Sequence, residues 1–266
     1  MHDYHQYFCT DDSLGLPDNQ ITHLLRDSKN RFWVGTVNGV CLYTDKDNFR
    51  IIPIEADNKN VRQILEDRNG RIFLNTGFQL YAYHPREEKI TCVLPEISPG
   101  NAFYAQCHIA PDNNLWVMTS TGLRCYDPST LQLKESVALN GYPYYSYLHN
   151  NELWITGNHT LSIFDTRTRS FKPLPQPIAQ NTTLCNADID YIHPYGNNGL
   201  LLNTARHGMF YYNPGTGSVT RQDENGFPFE MPRFRISRMF TDSQQNLWIG
   251  SVDQGYTVCY LSLIHI

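Results

Sequence analysis

A unit about forty residues long is copied repeatedly along this chain, and only folds built from stacked or circularly arranged modules accept such a pattern. The first copy opens at Ile21, carries Asp27, Asn30, Trp33-Val34-Gly35-Thr36 and Asn38-Gly39, and closes at Tyr43. It returns from Val61 through Asn75-Thr76 to Tyr83, and from Asn114-Leu115-Trp116 to Tyr126. A fourth copy runs from Glu152-Leu153-Trp154 to Phe164-Asp165. A degenerate fifth has Gly199 to Thr204 and Gly208 to Tyr212, and the sixth is clear again at Ile236 to Asp242 and Asn246-Leu247-Trp248-Ile249-Gly250. The large apolar position falls at 33, 73, 116, 154, 201 and 248, in steps of 40, 43, 38, 47 and 47 with a mean of 43. That period suits a propeller blade of four short strands and is too long for a leucine-rich repeat. Alternation with period two, cut by Gly and Asn, argues against helical repeats. The expected fold is all-β: a β-propeller of four-stranded blades with six repeats visible.

Each unit parses into strands a to d. Strand a is of the Ile21–Arg26 type, followed by a turn such as Asp67-Arg68-Asn69-Gly70, whose residues tolerate positive φ or cap their own backbone. Strand b is of the Trp33–Thr36 type, and Asn38-Gly39 is a strong hairpin signal before strand c. Strand d is weakest, expected near Phe49–Ile52, Ile90–Val93, Ser136–Leu139, Phe171 and Val219, with Pro53, Pro95, Pro143 and Pro173 following it as outer-strand stops. The Trp column reads as core, with indoles filling the wedge between blades. Blade units are expected near 15–55, 56–98, 99–140, 141–180, 181–225 and 226–260, within one propeller over 1–260. Tyr4–Cys9 is a candidate outer strand that could complete the sixth unit. Aromatics at 13% fit strand-rich structure.

Seven cysteines are present, with no CxxC pair. Most read as buried small hydrophobes; Cys125 and Cys259 read as one column, each just before a closing Tyr. A net charge of −5 leaves no basic field for nucleic acid. No secretory leader and no apolar run of membrane-spanning length is legible. The terminal stretch 261–266 resembles a translated sequencing adapter, so the parent gene is expected to continue past Tyr260.

The run Leu14-Gly15-Leu16-Pro17-Asp18-Asn19-Gln20-Ile21, followed by Asp27, Asn30, Trp33-Val34-Gly35-Thr36 and Gly39-Val40, resembles the two-component regulator propeller repeat. The likeness extends over roughly residues 14–260 and is best in the first, second and sixth units. The fourth has Thr156-Gly157 where the family has Gly-Thr, and the fifth has Leu201 in place of Trp. The resemblance implies the periplasmic sensor region of hybrid histidine kinases of Bacteroides-like bacteria. It further implies seven-bladed rings, a second propeller, a β-sandwich, a membrane span, a kinase and a homodimeric parent. An oligosaccharide released from polysaccharide is the ligand class it implies.

No catalytic motif is found: no HExxH, GxSxG, Walker loop or GxGxxG. His2 and His5 are a weak metal pair, and no metal or cofactor is expected. The turn carboxylates Asp27, Asp67, Asp112 and Asp242 read as caps, and Asp188 with Asp190 as structural rather than an acid/base pair. For binding, two places stand out. Aligned strands a put His23, Gln63, Gln106, Tyr191 and Arg238 in one inner column, suited either to sugar hydroxyls and ring faces or to mutual satisfaction in a narrow channel. The b–c loops offer Asn38, Gln79, Thr121, His159, Arg206, His207, Asp253 and Gln254, with Arg206-His207 the least turn-like. Tyr145, in the run Tyr142, Tyr144, Tyr145 and Tyr147, belongs to a stacking platform or to strand packing. A ligand-sensing propeller is the leading reading; a polysaccharide lyase or glycosidase and a protein-interaction scaffold are the competitors.

Overall fold

The alternating apolar pattern does become strands. The computed structural model describes residues 7–9, 15–44, 48–56, 58–95, 106–196, 198–231, 236–251 and 255–259. Among these the chain is an all-β β-propeller of six antiparallel sheets, five of four strands and one of three. Contacts divide it into two compact units, Met1–Tyr144 and Tyr145–Ile266.

The first unit holds three blades, each a meander in sequence order. Blade 1 comprises β1 (Ile21–Arg26), β2 (Phe32–Thr36), β3 (Gly39–Tyr43) and β4 (Phe49–Ile52). Blade 2 comprises β5 (Gln63–Glu66), β6 (Ile72–Asn75), β7 (Leu80–His84) and β8 (Lys89–Leu94). Blade 3 comprises β9 (Gln106–Ile109), β10 (Leu115–Thr119), β11 (Gly122–Tyr126) and β12 (Leu133–Ala138). Strand b of each blade is buried on both faces, so it reads as a continuous apolar run. Alternate side chains go to opposite neighbours: Trp33 packs with Ile64, Leu74 and Tyr81 of blade 2, whereas Val34 packs with Leu16, Cys41 and Phe49. Phe73 turns the other way from Leu74, onto Cys107, Leu115 and Val117 of blade 3.

The second unit holds blade 4, with β13 (Pro143–His149), whose first residues lie at the unit boundary, β14 (Glu152–Gly157), β15 (Thr160–Asp165) and β16 (Ser170–Lys172). Blade 5 comprises β17 (Ile189–Tyr195), β18 (Gly199–Thr204), β19 (Gly208–Asn213) and β20 (Ser218–Arg221). Blade 6 shows β21 (Ile236–Thr241), β22 (Leu247–Ser251) and β23 (Tyr256–Cys259). Trp154, Leu202 and Phe210 form the core between blades 4 and 5; Leu201, Met209, Met239 and Ile249 form that between blades 5 and 6. The Trp column is core as expected in blades 1 to 5, and Trp248 of blade 6 is half-buried.

The structure adds two helices the sequence reading did not foresee and corrects three expectations. Two short helices, α1 (Gln176–Gln180) and α2 (Thr182–Cys185), join blades 4 and 5 and press Ile178 and Leu184 onto their shared core. Asn181 caps α2 by accepting the Leu184 amide at 3.0 Å. Pro143 does not end an outer strand but begins the innermost strand β13, where a missing N–H is also tolerated. Cys125 and Cys259 do not share a column: Cys125 faces Trp116, but Val258 faces Trp248 and Cys259 faces Leu247. The longer b–c connection of blade 6 shifts the register by one, which moves every following side chain to the other face. Finally, Cys9 bridges to Leu16 and Tyr7 packs edge-on against Tyr43 and Phe49, so the described part of Tyr4–Cys9 lies on blade 1 rather than completing blade 6. Residues 261–266, with His2 and His5, lie outside the described residues. All seven cysteines are free; Cys41, Cys107 and Cys125 are buried, but Cys9 and Cys92 are exposed.

Candidate functional site

Three strands a carry a β-bulge one residue before the inner column. Register jumps between Ile21 and His23, between Ile189 and Tyr191, and between Ile236 and Arg238. A bulge re-aims the side chain that follows it. The column is real in register: His23, Gln63, Gln106, Tyr191 and Arg238 stand opposite Gly35, Asn75, Met118, Asn203 and Gly250, each two residues beyond the Trp position.

What the column does is tie blades together. His23 Nδ1 accepts from the Ile64 amide at 3.4 Å. Gln63 Oε1 accepts from the Cys107 amide at 2.9 Å, its Nε2 donates to Cys107 O at 3.4 Å, and Asn75 Nδ2 donates to the same Oε1 at 2.8 Å. The Tyr191 hydroxyl donates to Met239 O at 3.2 Å, and the Tyr145 hydroxyl to Ile192 O at 3.2 Å. Ile64, Cys107, Ile192 and Met239 each directly follow a column residue. Tyr145 therefore fills the same role in blade 4 that Tyr191 fills in blade 5, a kinship the sequence alignment alone did not bring out.

Three of the eight candidate side chains come together. The Tyr145 and Tyr191 rings lie 5.6 Å apart, and the Arg238 guanidinium sits 5.7 Å over the Tyr191 ring while donating to Ser237 O at 3.0 Å. Arg238 is exposed, at the open end of this ladder. His193 stacks on Tyr191 and shares a hydrogen bond with Thr241 Oγ1 at 2.9 Å. Burial pushes the Tyr145 and Tyr191 hydroxyls above their ordinary values, although Arg238 and the Met239 carbonyl pull Tyr191 back. Burial also takes Tyr147 up to about 12 and His193 down to about 4. At neutral pH the ladder thus offers neutral phenols, a neutral imidazole and one cation. Such a set binds by stacking and hydrogen bonding, and contains no poised general base.

The b–c loops are closed by a threonine device. Thr36, Thr119 and Thr204 hydroxyls donate to the carbonyls of Gly39, Gly122 and Gly208 at 3.0, 3.0 and 2.7 Å. The amides of Asn38, Thr121 and His207 donate back to those hydroxyls. Gln79 Oε1 accepts from Tyr81 OH at 2.5 Å. Arg206 and His207 are exposed in their turn. His159 Nδ1 meets Asn186 O at 2.9 Å, and its amide donates to Asp188 Oδ1 at 3.1 Å. Asp188 O takes the Ala205 amide, so one residue links the b–c loops of blades 4 and 5. Asp190 Oδ1 accepts from Asn203 Nδ2 at 2.6 Å. Both carboxylates are thus engaged with neighbours. Asp253 and Gln254 lie outside the described residues. Among the described residues no group of three or more His, Cys, Asp or Glu side chains could hold a metal ion, and no helix is long and apolar enough to cross a membrane.

Comparison with known proteins adds the following. Residues 15–38 match the two component regulator propeller model, as their motif implied. No curated protein matches the chain. Among solved structures, the fold resembles the extracellular domain of a protein described as a hybrid two component system from B. thetaiotaomicron. The TM-score is 0.64 and the identity 15%, over 91% of this chain and 34% of that one. A second extracellular domain from B. thetaiotaomicron, described as belonging to a one component system, has a TM-score of 0.59 and 20% identity over 96% of this chain and 40% of the other. Virginiamycin B lyase from Staphylococcus aureus matches with a TM-score of 0.65 and 15% identity, over 88% of this chain and 78% of its own. The chain spans about a third and two-fifths of the two sensor-system domains. At such identities the likeness is one of fold.

Proposed function

We propose that this chain is the ligand-sensing propeller of an extracytoplasmic two-component regulator, reading oligosaccharides derived from glycans and passing the signal to a histidine kinase elsewhere in its parent. The observation that carries the reading is the regulator-propeller match at 15–38, in a fold shared with the extracellular domains of one protein described as a hybrid two component system and one described as a one component system. The parent is then periplasmic, membrane-anchored, homodimeric and furnished with a second propeller. The chain itself is non-catalytic in this reading: Asp188 and Asp190 are tied to neighbours, and burial leaves the His193 imidazole too weak a base to take a substrate proton.

Since Gln63, Tyr145 and Tyr191 are committed to interblade bonds, ligand contact falls to groups left exposed: Arg238 over the Tyr191 ring, and Arg206 with His207. Binding must favour one packing state of the parent over another to signal. Calorimetric titration of the purified chain with a glycan-oligosaccharide panel tests this. Binding without product release is expected, with Arg238→Ala weakening it about tenfold, or about 1.4 kcal/mol. Release of product would favour a lyase or glycosidase instead. A parent gene with no export signal and no kinase would remove the sensor reading altogether.

A further inference from the structure

We infer that copies of this chain associate head to tail, the outer face of blade 6 on one copy seating on the apolar groove of blade 1 on the next. The inference goes beyond the sensor reading and depends on no ligand.

The chain's own blade junctions supply the chemistry. Within each unit, the large strand-b side chain of one blade packs on two parts of the following blade. These are the residue after its column position and the two residues flanking its own large strand-b position. Thus Trp33 clusters with Ile64, Ile72 and Leu74 of blade 2. Trp154 clusters with Ile192, Leu200 and Leu202 of blade 5. The same pattern holds for Phe73 on blade 3 and for Leu201 on blade 6. Where the inserted side chain is Trp, it meets a strand-c tyrosine of the following blade: the Tyr83 ring is 4.9 Å from Trp33, and the Tyr212 ring 6.2 Å from Trp154. Tyr83 and Tyr212 hold one register position, opposite Ile72 and Leu200, the residue before the large position.

Two halves of such a junction stay open. Blade 1 presents the receiving half on the face away from blade 2. Leu24 follows the column residue His23, Phe32 and Val34 flank Trp33, and Tyr43 stands opposite Phe32 at the Tyr83 position. All four line a groove of about 450 Å³, and Leu24 and Phe32 are exposed in it. Blade 6 presents the inserting half. Trp248 is half-buried, stands opposite Phe240 and Val258, and has its ring 5.3 Å from that of Tyr256. Strand alternation puts this face opposite Met239, Leu247 and Ile249, which are already packed on blade 5. Phe240 and Tyr256 are exposed, so in the single chain both halves are open to another copy.

Charge agrees with this pairing. In the junction of blades 1 and 2, the Ser28 amide donates to Glu66 Oε2 at 2.8 Å, and Glu66 directly precedes the turn residue Asp67. Blade 1 has an exposed arginine, Arg26, at that position. The corresponding turn of blade 6 holds Asp242. Among the described residues its carboxylate receives neutral donors only, from Gln244, Asn246 and Trp248. A cation on the receiving half thus matches an acid on the inserting half. Pairing like with like would set groove against groove and leave Trp248 without its tyrosine, so the contact is heterologous and need not stop at two copies.

Light scattering coupled to gel filtration, run over a concentration series, tests this. Leu24→Asp disables the receiving half and Phe240→Asp the inserting half. The wild-type mass is expected to rise with concentration to that of a dimer and beyond. Each variant alone is expected to remain a monomer. Their equimolar mixture is expected to form a dimer and nothing larger, because each partner keeps one working half. If circular dichroism shows either variant poorly folded, Leu24→Ser and Phe240→Ser give the same comparison. A wild type that stays monomeric at every concentration would overturn the inference. So would a variant that dimerises alone, which marks a contact of like with like, or a mixture that stays monomeric. None of these outcomes bears on ligand binding, so the sensor reading stands or falls separately.

Discussion

Asp27 receives four donors on one carboxylate: the Trp33 indole, the Arg31 Nε–H, and the amides of Lys29 and Arg31. Burial raises its pKa, but these bonds outweigh it and hold the carboxyl below its ordinary value; Asp242 is lowered likewise, first by the Trp248 indole. A depressed carboxylate stabilises the fold above the unfolded value near 3.9 and loses that stabilisation as pH falls through the native one. His193 has the complementary behaviour. Its folded value near 4 lies below the usual value of 6.5, so the unfolded chain takes up the proton first. Stability should therefore fall from about pH 6.5 downward, by on the order of 2–3 kcal/mol for this residue by pH 4, before the aspartates add their loss. Thermal melts from pH 7 to pH 3 check this, and His193→Gln should flatten the upper part of the decline. The a–b turns make a second residue-scale prediction. Asn30, Gly70, Asn113, Asn150, Asn198 and Gln245 all have φ between +56° and +73°. Asn and Gly accept that conformation readily; glutamine does not. Gln245 is exposed, so Gln245→Gly should raise stability by about 0.5–1 kcal/mol in chemical denaturation.

At the scale of strands, the inner column is where blade joins blade. Gln63 bonds three ways, twice to the backbone of the next blade, so Gln63→Ala should cost about 1–3 kcal/mol by leaving the Cys107 amide unpaired. Urea denaturation measures it, and Gln63→Glu should recover part of the loss by keeping an acceptor there. The hairpin before β11 is equally demanding. Gly122 has φ +156°, and a Cβ there would lie 2.3 Å from Val137 O. That atom is backbone and cannot swing aside, so Gly122→Ala should destabilise by more than 2 kcal/mol, or abolish folding, in the same assay.

Within each unit the blades cover one another's apolar faces, and among the described residues blades 1 and 6 each keep large exposed apolar side chains. The position after the column is buried in most blades, at 2% exposure for Ile64 and 5% for Met239, yet Leu24 is 53% exposed. With Tyr7, Ile21 and Phe32 it borders an apolar groove of about 450 Å³ on blade 1. On blade 6, Phe240 is 63% exposed where its counterpart His193 is buried. Open apolar surface of this kind favours association. Leu24→Ser and Phe240→Ser should each leave unfolding free energy within about 0.5 kcal/mol of wild type while reducing self-association in light scattering. Larger destabilisation would mean that these side chains are covered in solution.

Repetition and period-two alternation are local properties of a chain. For that reason the strands a to c, the Trp core and the capping role of Asp27 and Asp242 were all legible before any coordinates. The two helices were not, because elements of five and four residues carry no periodicity to read. Cys259 was assigned to the wrong face because one additional turn residue is invisible to column alignment but inverts a strand. The column of His23, Gln63, Tyr191 and Arg238 was visible as a set, whereas its meaning was not: whether Gln63 or Tyr191 meets a ligand or a carbonyl about forty-five residues away depends on how blades pack.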